Sequence, residues 1–250
     1  MKHSRMAAAF ALLLVAMAPP WPAGSDAAGY KIVGRITPGG EGGWDYLTLD
    51  PAAGRLYVGR STRVQVVDLK KGILVGEIPG VGVHGVALAP DLGRGFTSNG
   101  RDSSVTIFEP KTLATLGKVR VTGRFPDAIS YDPVSHRVFS FNGGSDNATA
   151  IDAATGAVAG TVALGGRPEF AVTDGRGRMF VNLEDSSAVV SFDTRTLEVR
   201  SRWPLAPGEE PTGLAIDREH RRLFAGCGNK KMVILDADSG RVIATVPDDG

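Results

Sequence analysis

The feature that most constrains this chain is its internal repetition. Five segments end in an apolar run closed by an acid: VQVVD at Asp68, VTIFE at Glu109, ATAID at Asp152, VVSFD at Asp193 and MVILD at Asp236. Successive acids lie 41, 43, 41 and 43 residues apart. Two more landmarks keep step with them. One is LTLDP, VALAP, ISYDP, AVTDG and LAIDR; the other is RLYVG, RGFTS, RVFSF, RMFVN and RLFAG. A period of about 42 residues confines the chain to an array of like units, each too small to bury its own apolar surface alone.

Each unit reads as four short strands. In the third, the pattern predicts them over 128–132, 137–141, 148–152 and 157–162, apolar runs separated by Gly, Asn, Asp and Pro. The turns DAATG and DADSG place Gly156 and Gly240 where a positive φ is required. No 3.6-residue apolar stripe lasts long enough for a helix. With 33 Gly and 15 Pro in 250 residues, the composition suits a turn-rich globular chain. The expected fold is all-β, a β-propeller of four-stranded antiparallel blades over 44–80, 84–122, 126–165, 168–205 and 210–247, within a single domain at 29–250.

Two stretches carry a family resemblance: VNLEDSSAVVSFDTRTLEV (Val181 to Val199) and TSNGRDSSVTIFEPKTLATLGKV (Thr97 to Val119). They resemble the YVTN β-propeller repeats of exported bacterial proteins, within the wider WD40-like superfamily, and the resemblance runs over about residues 30–250. It implies a propeller fold and a binding role of unspecified kind. The first unit departs from the pattern, with VGRST where the family has an Asn, and the second has Glu109 for the usual Asp. The resemblance also implies a second cysteine in the loop before the last unit; Gly208 stands there, so Cys227 has no intrachain partner. Cys227 is then a free thiol, an intermolecular partner, or a small half-buried residue.

The ends carry their own expectations. Lys2, His3 and Arg5 precede an apolar run from Met6 to Ala18, then Pro19, Pro20, Pro22 and small residues. This is the plan of a secretory signal peptide over 1–28, cleaved near Ala27 or Ala28, and it implies an exported, periplasmic or secreted protein. The run falls short of the roughly 20 residues of a membrane span, although an uncleaved anchor is the alternative. Residues 30–36 read as the outer strand of a closing blade, matching Ile73–Ile78 and Val242–Val246. Because the fifth unit already has its outer strand, the expectation is a C-terminally truncated seven-bladed ring forming an open arc. Its uncovered faces would let the fragment self-associate.

In a propeller the first strand of each blade lines the channel, and ligands gather at one rim. The residue five before each first-strand landmark is Asp45, His84, Asp127, Glu169 and Thr212, with Glu209 and Glu210 just upstream of the last. Asp45, His84, Asp127, Glu169 and Glu210 are therefore the candidate ligand-binding residues. They form a ring of oxygen donors and one imidazole able to hold a divalent cation or a cationic ligand. The alternative is plain strand-start polarity facing channel water. Asn99, Asn142, Asn182, Asp102, Asp146, Glu184 and Asp185 fall in turns near the same rim, where left-handed backbone alone favours such residues. His136 and His220 occupy equivalent turns on the opposite rim.

Charge and motifs narrow the function. Net charge is +1, from 28 basic and 27 acidic residues, which supplies no field for nucleic acid or an acidic membrane. One cysteine excludes a CxxC site, and no nucleophile elbow, HExxH or phosphate loop stands in a credible context. The first expectation is a non-enzymatic binding module for a small molecule or protein, with no cofactor, although the channel mouth could hold a divalent cation. The alternatives are a metal-dependent lactonase-like hydrolase and, less favoured by balanced charge and few rim aromatics, a single-stranded nucleic-acid binder.

Overall fold

The structure is a computed structural model that describes residues 31–248. The expected signal peptide lies outside the described residues. Within the compact unit that begins at Ile36, the repeat period becomes antiparallel sheet. The first sheet has seven strands in chain order: β1 (Leu47–Asp50), β2 (Arg55–Gly59), β3 (Ser61–Asp68), β4 (Ile73–Ala89), β5 (Arg94–Asn99), β6 (Ser104–Phe108) and β7 (Thr115–Arg120). Three four-stranded sheets follow. They are β8 (Pro126–Asp132), β9 (Arg137–Asn142), β10 (Asn147–Asp152), β11 (Val158–Ala163); β12 (Pro168–Thr173), β13 (Arg178–Leu183), β14 (Ala188–Asp193), β15 (Val199–Pro204); and β16 (Pro211–Asp217), β17 (Arg222–Cys227), β18 (Lys231–Asp236), β19 (Val242–Pro247). One 3-10 turn, Pro90–Leu92, is the single helical element among the described residues, and none of these has a helix long and apolar enough to cross a membrane.

The seven-stranded sheet is two repeat units sharing one strand. Residues 73–79 of β4 pair with β3, and residues 83–89 pair with β5. The expected break between 80 and 84 is thus absent, and the chemistry explains why. The other units begin their first strand at Pro126, Pro168 and Pro211, which have no N–H to donate; Val83 stands in that position and pairs with both Ser61 and Asn99. A second difference lies at 30–36. Residues 31–36 form no strand among the described residues, because no sheet edge pairs with them, and Tyr30 lies outside those residues.

Middle strands are buried on both faces: every residue of β6 is buried, and so are five of the six in β9 and β13. Stacking of successive sheets is the cause, and four apolar clusters mark the seams. Tyr57, Val64 and Ile78 meet Val86 and Phe108; Phe96 and Ile107 meet Tyr131 and Ile151; Phe139 and Phe141 meet Val181 and Phe192; Phe180 and Val189 meet Leu223 and Val233. The first strands of successive units adjoin one another. In β1, Leu47 and Leu49 stay 58% and 54% exposed, where their counterparts in later units face a preceding sheet.

Two of the three sequence landmarks have structural work. The recurrent acids close the outer hairpin: Asp152 accepts from the Thr155 N–H at 2.8 Å, Asp193 from Thr196 at 2.9 Å and Asp236 from Ser239 at 2.8 Å. Four residues on from each acid the backbone is left-handed, at Gly72, Leu113, Gly156, Leu197 and Gly240, so glycine is used in three units and leucine in two. Those leucines are retained because they plug sockets. A Cβ on Gly76 would meet Leu113 Cδ1 at 2.6 Å, and one on Gly160 would meet Leu197 Cδ1 at 2.5 Å. The recurrent arginine is a staple to the next unit. Arg55 donates to the Pro110 carbonyl, Arg94 to Ala153 (3.4 Å), Arg137 to Thr194 (2.9 Å) and Arg178 to Ala237 (3.4 Å), in each case the residue after the landmark acid.

Candidate functional site

The site is built by a recurrent irregularity. In units two to five the first strand breaks register with the second at its start, between Val83 and Val86, Pro126 and Ile129, Pro168 and Ala171, and Pro211 and Gly213. A bulge turns one side chain away from the regular alternation, and the residues inside these four bulges include His84, Asp127, Glu169 and Thr212. In the first unit Asp45 and Tyr46 lie just ahead of β1, held by Asp45 N–H to the Gly59 carbonyl at 3.0 Å. Side chains of one unit then reach the first strand of the next. Thr48 donates to the Val86 carbonyl at 2.8 Å, Ser98 to the Asp127 carbonyl, and Asn182 to the Gly213 carbonyl at 2.8 Å.

Three of the five aligned residues meet. His84 Nδ1–H donates to Asp45 Oδ2 at 2.6 Å and lies 3.5 Å from Asp127 Oδ1. Donor atoms of Asp45, His84 and Asp127 all fall within 4.8 Å of one another, although the residues come from three different repeat units. Two glycines make room for them. A Cβ at Gly100 would meet His84 Nε2 at 2.7 Å, and one at Gly59 would meet the His84 carbonyl at 2.1 Å. Phe125, in left-handed backbone, sets its ring 5.2 Å from the imidazole.

Glu169 stands beside this cluster. Its Oε2 is buried without a hydrogen-bond partner, and the Arg167 guanidinium is 4.0 Å away, closer to Glu184 at 3.0 Å. The Tyr46 hydroxyl donates to the Glu169 carbonyl at 2.9 Å, and the two rings of Tyr46 and Phe170 pack edge to face at 5.1 Å.

Electrostatics follow from carboxylates crowded in a half-buried mouth. Burial, then the charges of Asp127 and Glu184, push Glu169 up to about 7. Asp127 is also raised, by burial first, with His84 and Arg167 opposing and Asp45 assisting. For His84, burial works against the charged ring, but the hydrogen bond to Asp45 and the charges of Asp127, Asp45 and Glu169 outweigh it, so its pKa rises. Tyr46 is pushed well above the ordinary phenol range by burial and by the same three carboxylates.

Glu210 does not join them. Its backbone is left-handed, its N–H binds Ser187 Oγ at 3.1 Å, and it lines a separate cleft of about 350 Å³ with Arg167, Glu184, Asp185 and Glu209. The turn asparagines are structural. Asn99 Nδ2 binds Ser104 and Thr106, Asn142 Nδ2 binds Asn147 and Thr149, and both are fully buried at equivalent strand ends; Asn182, also fully buried, aligns instead with Ser98. In the first unit Arg60 replaces the asparagine and instead ties down the carbonyls of Gly40, Glu41 and Gly42. His136 and His220 are exposed and pair with Asp91 (3.2 Å) and Asp217 (2.7 Å). A larger cleft, about 920 Å³, is formed by turns of the first two units around Pro51, Arg55, Pro90, Glu109 and Lys111, away from the cluster.

Sequence reasoning missed Tyr46, Phe125 and Arg167. Tyr46 and Phe125 each neighbour an aligned position or its proline, and Arg167 lies two residues before Glu169, so the same alignment widened by two residues on either side finds all three.

Successive four-stranded antiparallel sheets whose first strands adjoin one another beside a polar cluster are the arrangement of a β-propeller. A solved structure titled "Structure of U3-55K" superposes on this chain with a TM-score of 0.76 over 85% of this chain and 67% of that one, at 11% sequence identity. At that identity the likeness speaks for the fold alone. No family model matches the chain. No curated protein matches it either.

Proposed function

We propose that this chain is an exported propeller of the YVTN-repeat type, with five blades present in an open arc, that serves as a binding module. Its channel mouth recognises a positively charged group on a protein or small molecule. A propeller fold suits protein interaction, offering a rigid rim of loops on a stacked scaffold. The observation that carries the reading is the convergence of Asp45, Asp127 and Glu169 around His84, with Arg167 the cation beside Glu169 and drawn toward Glu184. Such a mouth attracts cations and repels a phosphate backbone, which weighs against nucleic acid. Phe125, 47% exposed, adds an aromatic face that favours an ammonium or guanidinium group. Export rests on the Met6–Ala18 run and its flanks.

The test is binding of the full chain, in chelator, to immobilised peptides of graded charge. Lys- and Arg-rich peptides should be retained, and the Asp127→Ala/Glu169→Ala double variant should lose them while still unfolding cooperatively and no less stably than the wild type. Retention that ignores peptide charge, or that survives the double variant, refutes the reading. One observation favours a second reading, a metal-dependent hydrolase: the donor atoms of Asp45, His84 and Asp127 lie within 4.8 Å of one another, next to a Glu169 poised near neutrality. Lactone hydrolysis that disappears with chelator would replace the first reading with this one.

A further inference from the structure

We propose that Asp45, His84 and Asp127 form a binding site for one divalent first-row transition cation, of the zinc or nickel class, at the channel mouth. The inference deepens the reading of the mouth as the binding site, and it rests on donor chemistry and geometry.

The donor set comes first. One imidazole nitrogen and two carboxylate oxygens are the mixture that borderline cations such as Zn²⁺, Ni²⁺ and Co²⁺ accept. Ca²⁺ and Mg²⁺ take six or more oxygens or a shell of waters. A site supplying three side-chain donors, one of them nitrogen, therefore selects against the hard cations.

Geometry agrees with this. Two ligands about 2.1 Å from a tetrahedral ion stand roughly 3.4 Å apart. His84 Nδ1 and Asp127 Oδ1 are 3.5 Å apart. His84 Nδ1 and Asp45 Oδ2, at 2.6 Å, are instead at hydrogen-bond distance, with the Nδ1 proton between them. An arriving cation replaces that proton, which leaves to solvent, and the pair opens by somewhat under an ångström. Asp45 lies ahead of β1 rather than inside a strand, so that displacement breaks no ladder hydrogen bond within β1. The backbone is shaped for the cluster as well: Gly100 and Gly59 leave the space that the His84 ring and its carbonyl occupy, and any side chain there would collide with them.

A second observation points the same way. Glu169 Oε2 is buried beside the cluster without a hydrogen-bond partner, an arrangement that costs free energy unless something positive completes it. Arg167, 4.0 Å away and engaged at 3.0 Å with Glu184, completes it poorly. Glu169 is the further protein oxygen that a cation in this mouth would draw toward itself. By contrast, the His220–Asp217 pair on the opposite rim has one carboxylate, high exposure and no such neighbour. It serves as an internal control.

The experiment uses the full chain stripped with chelator and dialysed. Calorimetric titration with Zn²⁺ should give one ion per chain, and Ca²⁺ should give at least about tenfold weaker binding. Co²⁺ should develop the intense visible bands of a low-symmetry site containing nitrogen. His84→Gln and Asp127→Asn should each weaken Zn²⁺ by at least about tenfold, whereas His220→Gln should not change it. Melting of the metal-free variants separates loss of a ligand from loss of fold: the wild-type Tm should rise with Zn²⁺, and those of His84→Gln and Asp127→Asn should not. Absence of stoichiometric Zn²⁺ binding, a preference for Ca²⁺, or binding that survives both mouth substitutions overturns the proposal. Retention of basic peptides in chelator reports on the mouth independently, so the metal site can fail while the binding module stands, and the reverse.

Discussion

The Tyr46 hydroxyl donates a hydrogen bond to the main-chain carbonyl of Glu169 at 2.9 Å, joining the first repeat unit to the fourth across 123 positions of sequence. Repeat proteins hold together mainly through contacts between neighbouring units. This bond reaches past two of them. It fixes the backbone from which Glu169 extends and closes one side of the mouth with an aromatic wall of Tyr46 and Phe170. Glu169 is consequently held where burial and the Asp127 and Glu184 charges raise its pKa.

That position makes stability fall as pH rises. The Glu169 carboxyl titrates near 4.5 when unfolded and at about 7 when folded. Below 4.5 it is neutral in both states. Between 4.5 and 7 the unfolded state gives up its proton first, so the folded state loses ground; above 7 the loss is constant. In chelator, Glu169→Gln should therefore gain on the wild type by up to the order of 3 kcal/mol between pH 4.5 and 7.5 in urea melts, an upper figure because the side chain is 19% exposed. A difference that stays flat across this window would show that the folded mouth leaves Glu169 unperturbed.

The arginine staples should be worth measurable stability in the interior of the array only. Arg137 gives Nη1 to the carbonyls of both Thr194 and Arg195, at 2.9 and 2.8 Å. Arg137→Ala should cost about 1–3 kcal/mol, the usual value for charged donors to carbonyls. Arg222 holds the same place in the fifth unit but is exposed. Arg222→Ala should fall within about 0.5 kcal/mol of the wild type. Equal losses in denaturant melts would mean the bonds to the next unit contribute nothing.

Asp132 is a buried anion shared between two sheets. Its carboxylate accepts from Thr173 Oγ1 (2.7 Å), Thr194 Oγ1 (2.8 Å), and the N–H and Oγ of Ser135 (2.9 and 2.8 Å), and its exposure is nil. Asp132→Ala leaves several donors unanswered and should destabilise by about 2–4 kcal/mol, with Asp132→Asn intermediate because it keeps one acceptor oxygen. A melt in which both variants match the wild type would remove this carboxylate from the interface.

Gly208 faces the lone thiol. A Cβ at position 208 would lie 2.6 Å from Cys227 Sγ and the same distance from Val233 Cγ2. Gly208→Cys under oxidising conditions should form a bridge once Val233 gives way, consume both thiols, and stabilise by up to about 3 kcal/mol. Two titratable thiols remaining after oxidation would show that the loop keeps the pair apart.

The sequence alone determined the period, the strands, the turn acids and the line of positions along which the channel mouth is built. Each is a local property. A strand shows itself by apolar alternation, and a hairpin by the Asp, Ser, Thr and Gly that its backbone requires, so counting along the chain recovers them. Even the alignment that picked Asp45, His84, Asp127 and Glu169 is a count of residues back from a landmark. Tertiary structure decided which aligned residues meet. Bulges at Val83, Pro126 and Pro168, together with the stacking of one sheet on the next, bring Asp45 and Asp127 onto one imidazole. Left-handed backbone two residues ahead of Thr212 sends Glu210 into another cleft. The Tyr46 bond, the arginine staples and the strand shared by the first two units were likewise settled only in three dimensions. The reason is physical: side chains in different units meet according to the rotation between sheets. That rotation is set by sockets such as Gly76 for Leu113 and Gly160 for Leu197, whose partners lie far away in sequence.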